Sequence, residues 1–98
     1  MAGFVQIVEF KTSRPEDVQA LADEMEPQRA AGTVRRLTVT ADRDRPGYHF
    51  SLIEFDSYES AMENSNRPET SEFAAKMAKL CDGPPTFRNL DVRMSWEA

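Results

Sequence analysis

The sequence predicts an α+β fold in which a four-stranded antiparallel sheet carries helices on one face. Stretches rich in β-branched and aromatic residues, typical of strands, occur at 4–10, 33–40, 48–55 and 87–94. Apolar residues with helical spacing lie between the first and second stretches, and again between the third and fourth. A polar turn joins the second and third stretches, so the predicted order is β-α-β-β-α-β.

The first strand and the first helix are predicted from the N-terminal quarter of the chain. In residues 4–10, FVQIVEF, both faces are largely apolar, so we expect both to be covered. Residues 13–16, SRPE, fit a capping box at a helix start. The apolar stripe of this helix comprises Val18, Leu21, Ala22 and Met25. Pro27 is expected to end or kink the helix because its ring clashes with the preceding turn.

The middle of the chain predicts a hairpin followed by a helix. Residues 33–40 and 48–55 are expected to pair antiparallel across the polar turn 42–47, DRDRPG. Residues 56–59, DSYE, fit a second capping box. The helix that follows is predicted over 57–65.

The last helix and the last strand complete the order. Because the residue before a proline avoids the helical region, we expect a break at Pro68 and a new helix from Thr70 or Ser71. The apolar stripe of that helix comprises Phe73, Ala74, Met77, Leu80 and Cys81. Gly83 is the predicted C-terminal cap, and 87–94 is the last strand.

Right-handed crossovers at both helical intervals make this a ferredoxin-like split β-α-β-β-α-β fold. The helices can cover only one face of such a sheet. Both faces of the predicted strands carry large apolar residues, so we expect a second molecule to pack against the open face.

Length and charge exclude several classes of protein. The 98 residues fit a single domain spanning 1–98. A net charge of −5 disfavours nucleic acid and anionic membranes as partners. One cysteine excludes an internal disulfide and a cysteine-cluster metal site, and it suits a reducing compartment. The N-terminal residues have no leader pattern, so we expect a cytoplasmic protein.

The central segment also carries the pattern of a known family. Residues 50–61, FSLIEFDSYESA, match the line F-x-L-x-E-aromatic-x-S-x-E-(S/A)-hydrophobic. Together with 4–25, 33–65 and 71–80, they make the chain resemble the dimeric α+β barrel superfamily, and within it the antibiotic-biosynthesis-monooxygenase-like (ABM-like) domains. The resemblance implies a homodimer in which two sheets form the barrel. It also implies, as one activity of the family, oxygenation of aromatic polyketides without a cofactor.

Two departures from the family bear on activity. Family members often have a tryptophan where Phe55 stands, and a histidine in one of the helices. Asn64 occupies the helical position that the family commonly gives to histidine or asparagine. Haem-degrading members need a helical histidine to ligate iron, whereas the only histidine here is His49, on a strand. The resemblance therefore gives no support to a haem role.

His49 and Asn64 are the candidate catalytic residues. The ordinary pKa of histidine suits a general base. The alternative for His49 is a hydrogen-bonded histidine near the end of a sheet. The amide N–H groups of Asn64 would stabilise a phenolate or enolate oxygen. The alternative for Asn64 is a helix-terminal residue chosen because asparagine tolerates the left-handed conformation.

Tyr48 and Arg67 are the candidate substrate-binding residues, Tyr48 as a hydrogen-bond donor and Arg67 as an anion-attracting group. Their alternatives are a packed residue at a strand end and a solvated loop arginine. Cys81 has apolar helical neighbours, which favours a core residue over a nucleophile.

Two functions follow from these residues. One is a cofactor-independent monooxygenase that holds a hydrophobic, aromatic or polyketide-like compound between the sheet and the helices, with His49, Asn64 and Arg67 as polar contacts. The other is a non-catalytic homodimer of the same fold that binds a small ligand or a protein. The missing tryptophan and helical histidine favour the second, whereas the recurrent chemistry of the family favours the first.

Overall fold

The computed structural model describes residues 3–98, and its four strands pair in the order β2-β3-β1-β4. The elements are β1 (Phe4–Lys11), α1 (Pro15–Glu24), α2 (Glu26–Ala30), β2 (Arg36–Ala41), β3 (Tyr48–Phe55), α3 (Tyr58–Ser65), α4 (Pro68–Leu80) and β4 (Thr86–Asp91). All three strand pairs are antiparallel. The predicted α+β fold with a four-stranded antiparallel sheet is confirmed.

The register between the central strands decides which side chains face the helices. β1 pairs with β3 so that Phe10 lies opposite His49 and Val8 lies opposite Ser51. Because side chains alternate along a strand, these residues share one face. Val8, Phe10 and Ser51 line a cavity together with helical residues, so this is the covered face.

The most buried part of the molecule lies at the other end of the covered face. Phe4, Phe55 and Ala61 form a cluster, and Phe55 is only 1% exposed. The ring centroids of Phe4 and Phe55 lie 6.4 Å apart. The Tyr58 ring meets the Phe4 ring edge-on, with 5.6 Å between the centroids. Aromatic pairs in this geometry add to the stability that area burial provides. The cluster fixes the start of α3 against the two central strands.

The helix caps differ from the prediction in both places. α1 has no side-chain cap, so the capping box at 13–16 is wrong. The Thr12 Oγ1 instead accepts a hydrogen bond at 3.0 Å from the N–H of Arg14, the residue before the helix. At α3 the cap lies one residue later than the box at 56–59 requires. Ser57 Oγ accepts from the Ser60 N–H at 3.1 Å, and the Asp56 carboxylate is held by Arg35 at 2.8 Å.

The helices are interrupted before Pro27 and Pro68 as expected, but each proline also lies in the first turn of the next helix. Pro27 lies in the first turn of α2, directly after α1, and Pro68 is the first residue of α4. A proline at these positions removes no hydrogen bond from the helix, because the N–H groups of the first turn have no partner inside the helix. The helical layer is therefore nearly continuous from Pro15 to Ala30.

The edge strands are shorter than predicted. β2 begins at Arg36 because Thr33 turns towards α3, where its Oγ1 donates to the Ser60 carbonyl at 2.7 Å. β4 ends at Asp91, and residues 92–98 form no strand. None of the helices within residues 3–98 combines the length and the apolar character that a bilayer span requires.

Thr12 is the buried polar residue that joins β1 to the end of α4. It is 2% exposed, and its Oγ1 donates to the Leu80 carbonyl at 2.6 Å while accepting from Arg14. Replacing Thr12 by valine keeps the shape and removes both bonds, so we expect a loss of about 1–3 kcal/mol in the free energy of unfolding. Urea titration of Thr12→Val and Thr12→Ser tests this. The serine variant keeps the hydroxyl and should lose less, and equal losses would contradict the role given to the hydrogen bonds.

Candidate functional site

A cavity of about 210 Å³ lies between the covered face of the sheet and the helices. Its wall is mainly apolar. The sheet contributes Val8 and Ile53, and α4 contributes Phe73 and Met77. These residues come from the alternating strand positions and from the helical stripe of the sequence, so the same pattern that builds the fold also builds the cavity wall. An apolar cavity of this size suits part of an aromatic ligand.

The wall of this cavity, which we call the main cavity, has a polar part where α3 ends and α4 begins. Asn64, near the end of α3, lines it together with Arg67, the residue before α4. Arg67 Nη1 donates to the Gln28 carbonyl at 2.9 Å, and its Nε lies 3.5 Å from the Glu69 carboxylate. A side chain at Gly32 would collide with the Arg67 guanidinium, so glycine makes room for it. Two of the four predicted site residues thus lie on one wall.

The structure also tests the alternatives for these two residues. Asn64 lies inside α3, and no residue other than glycine within 3–98 has a positive φ, so the left-handed interpretation of Asn64 is wrong. Arg67 is not a solvated loop arginine, because its side chain is only 23% exposed and bridges α4 to α2.

His49 lies outside the main cavity. It lines a second cavity of about 420 Å³, which Thr12 and Asp23 also border. The His49 ring stacks on Phe10, with centroids 5.4 Å apart. His49 Nδ1 lies 3.1 Å from the Gly47 carbonyl oxygen, which can only accept, so we assign the proton to Nδ1. Nε2 is then left as an acceptor.

Tyr48 lies on the opposite face of the sheet and borders neither cavity. The Arg45 guanidinium covers its ring at 4.3 Å, and Lys11 Nζ lies 5.5 Å from the same ring. Arg45 in turn bonds Asp42 at 2.9 Å, and this hydrogen bond lowers the pKa of the Asp42 carboxyl. Tyr48 is therefore not grouped with His49, Asn64 or Arg67.

The two cavities are neighbours, and we call them the two compartments of the cleft. They share six wall residues, namely Phe10, Val18, Ala22, Arg29, Leu37 and Val39. Arg29 was missed in the sequence because Pro27 was expected to end or kink the first helix. The signal was present, since Val18, Ala22, Met25 and Arg29 continue one helical stripe through Pro27 and all border the main cavity.

Solved protein structures resemble this chain, whereas sequence families and curated sequences do not match it. No family profile matches the sequence, and no curated protein matches it at a significant level. SnoaB from Streptomyces nogalater, described as a cofactor-independent oxygenase, is 11% identical to this chain. The superposition covers 97% of both chains and has a TM-score of 0.81. A Caulobacter crescentus CB15 protein provisionally named an antibiotic biosynthesis monooxygenase is 14% identical over 95% of this chain and 92% of its own, with a TM-score of 0.79. This chain has the ABM-like fold.

Rv0793 from Mycobacterium tuberculosis gives the same result, with 19% identity over 98% of this chain and all of its own, and a TM-score of 0.79. The resemblance of fold predicted from the sequence is therefore confirmed. Identities this low establish the ABM-like fold alone, so activity has to be argued from the cleft.

Phe55 is the position where the sequence departs from the ABM-like pattern of a tryptophan. It packs against Phe4 and Ala61 and borders neither compartment. In this chain the aromatic ring at position 55 therefore packs next to α3 and lies outside both cavities.

Cys81 borders the main cavity at the end of α4. Burial raises the pKa of the Cys81 thiol, and the neighbouring Asp82 carboxylate adds to the rise. Less thiolate is present at a given pH, so we expect Cys81 to react with a disulfide reagent more slowly than free cysteine at about pH 8. Asp82→Asn should speed the reaction, and a ligand in the cavity should slow it. A rate equal to that of free cysteine would contradict the burial.

Proposed function

We propose that this chain binds a polycyclic aromatic compound in the cleft and oxidises it with O₂, the substrate itself supplying the electrons. The observation that carries the proposal is the main cavity, whose wall is mainly apolar and includes Asn64 and Arg67. The ABM-like fold, which SnoaB shares, supports the choice of chemistry.

The reaction fits a hydroxylated polycycle with an activated methylene, such as an anthrone. Loss of a proton gives a carbanion whose charge is delocalised onto the ring oxygen. One electron passes to O₂, the two radicals combine to a peroxide, and loss of water leaves a carbonyl. The balance is R₂CH₂ + O₂ → R₂C=O + H₂O, with no external reductant.

Asn64 and Arg67 would act on the charge that develops on the ring oxygen. Amide N–H donors and a guanidinium placed beforehand at such an oxygen stabilise the anion without reorganisation. Arg67 is held in place by the Gln28 carbonyl and by Glu69. A rigid donor in the wall would also orient the rings of the ligand in the cavity.

His49 is the candidate base for the proton. With the proton on Nδ1 held towards Gly47, its Nε2 is the free acceptor. The ring borders the second compartment, so a substrate that spans both compartments brings its methylene to His49. A substrate confined to the main cavity would have no such base.

The second candidate function is binding without catalysis. The position of His49 outside the main cavity favours it, since a compact ligand would fill the apolar compartment without meeting a base. Such a protein would bind aromatic compounds and consume no oxygen.

Oxygen uptake with an anthrone separates the two. We expect wild-type protein to consume O₂ faster than buffer alone. Met77→Trp, which fills part of the main cavity, and His49→Ala should both return the rate towards that of buffer. Wild-type uptake equal to the buffer rate, at a protein concentration that binds the compound, would refute the oxygenase and leave the binding function.

We also propose that a second copy of the chain covers the open face of the sheet. Val5, Ile7 and Leu52 lie on that face, and each remains partly exposed. In the tail, Met94 and Trp96 are 88% and 82% exposed. Exposed apolar surface of this kind is typical of an interface between copies.

Light scattering tests the assembly. We expect a species of twice the 11.1 kDa chain mass, and we expect Ile7→Arg to shift it towards the monomer. Trp96 is the only tryptophan, so its emission reports whether the tail is buried in the dimer. A single species of monomer mass at micromolar concentration would refute the dimer.

A further inference from the structure

Arg29 is the charged residue on the wall that the two compartments share. Phe10, Val18, Leu37 and Val39 are apolar members of that wall. Arg29 Nη1 donates to the Ala22 carbonyl at 3.1 Å, which ties α2 back to α1. This hydrogen bond holds the guanidinium at the wall that both compartments share, which we call the junction.

The other charged groups of the cleft bond to residues other than Arg29. In the main cavity, Glu69 faces Arg67. In the second compartment, the Asp23 carboxylate accepts from the Gln19 amide at 3.0 Å. None of the ion pairs found between residues of the described chain, 3–98, includes Arg29. Among the described residues, the guanidinium at the junction therefore has no carboxylate paired with it.

A ligand that fills the cleft removes water from this guanidinium. A neutral ligand would leave the charge poorly solvated, which disfavours binding. An anionic group placed against Arg29 would replace the lost water with charge-assisted hydrogen bonds, for which the planar guanidinium fork is suited. The junction thus distinguishes anionic from neutral aromatic compounds.

We propose that the ligand of this cleft is an anionic polycyclic aromatic compound, whose rings lie in the main cavity and whose carboxylate or comparable anion is bound by Arg29 at the junction. The inference rests on the proposed function in requiring that the cleft binds aromatic rings. It adds the charge of the ligand and makes Arg29 the residue that determines specificity.

The test uses a matched pair of fluorescent probes and the full chain. 8-Anilinonaphthalene-1-sulfonate is anionic, and N-phenyl-1-naphthylamine has the same ring skeleton without the sulfonate. We expect wild-type protein to bind the sulfonate more tightly. Arg29→Met should weaken sulfonate binding about tenfold or more, the loss expected for a charge-assisted hydrogen bond, and leave the neutral probe unchanged.

Three further variants control the result. Arg35→Met removes a surface arginine that borders neither compartment and should bind both probes like wild type. Arg29→Lys keeps the charge and should retain part of the sulfonate affinity, even if Arg29→Met fails to fold. Val39→Trp fills part of the shared wall at a partly exposed position and should weaken both probes.

The outcomes separate this inference from the proposed function. If the neutral probe binds and sulfonate affinity is the same in wild type, Arg29→Met and Arg29→Lys, the inference is overturned and aromatic binding stands. If Val39→Trp changes neither affinity, the probes bind elsewhere and the inference is likewise overturned. If wild-type protein binds neither probe, the proposed function fails and the inference fails with it.

Discussion

Phe55→Ala is expected to lower the free energy of unfolding by about 3–5 kcal/mol, the range for a phenylalanine truncated in a packed core. Phe55 is 1% exposed, and its ring packs against Phe4 and Ala61 where α3 meets β1 and β3. Truncation removes the ring that these elements share and leaves a cavity that the sheet cannot close. In a chain of this size, such a loss is a large part of the total stability. Urea unfolding followed by circular dichroism measures it.

Phe87→Ala is the matched control for Phe55→Ala. Phe87 lies on the edge strand β4 and is 57% exposed in the single chain. The same truncation there removes little buried area, so we expect a change of less than about 1 kcal/mol. Equal losses in the two variants would show that the cluster around Phe55 is not the main source of stability.

Asn64→Ala is expected to lower kcat for oxygen-dependent oxidation about 10²- to 10³-fold, the cost of removing one preorganised donor to a developing oxyanion. The donor acts mainly when charge reaches the ring oxygen, so KM should change little. Oxygen uptake at saturating and limiting anthrone concentration separates the two constants. The prediction depends on the placement of Asn64 in the wall of the main cavity.

Asn66→Ala is the control for Asn64→Ala. Asn66 ends α3 two residues later, is exposed and borders neither compartment. Its replacement should leave kcat unchanged, whereas Asn64→Asp should lose the amide donors and add a repelling charge. A normal kcat in Asn64→Ala would remove Asn64 from the chemistry.

The alternation and the composition of the strand segments predict most of this fold, because both depend only on residues that are neighbours in the sequence. Residues 4–10 and 48–55 are strands as predicted, and the alternation along them places Ser51 and Ile53 on the helical face. Of the candidate site residues, Asn64 and Arg67 meet in one cavity, since the break at Pro68 turns the chain there. Because side chains alternate along β3, Tyr48 lies on the sheet face opposite to that of His49, as the sequence implies.

The features that were missed depend on contacts distant in sequence. Thr12 bonds the Leu80 carbonyl, 68 residues away, and nothing near Thr12 distinguishes it from its neighbour Ser13. Asp56 fits a helix cap by its residue type, and only the folded structure shows that Arg35 binds its carboxylate instead. Arg29 lines the cleft because the chain is helical again from Pro27, so that α2 continues the stripe of α1.

Methyl NMR of methionine tests the central claim, that aromatic rings bind between the sheet and the helices. Within residues 3–98, Met25 and Met77 border the main cavity, Met62 packs against the Phe4 cluster, and Met94 is exposed in the tail. Saturating N-phenyl-1-naphthylamine should shift the Met25 and Met77 methyl signals through ring currents and leave Met62 and Met94 in place. Unchanged Met25 and Met77 signals, or shifts confined to Met62 and Met94, would contradict the claim.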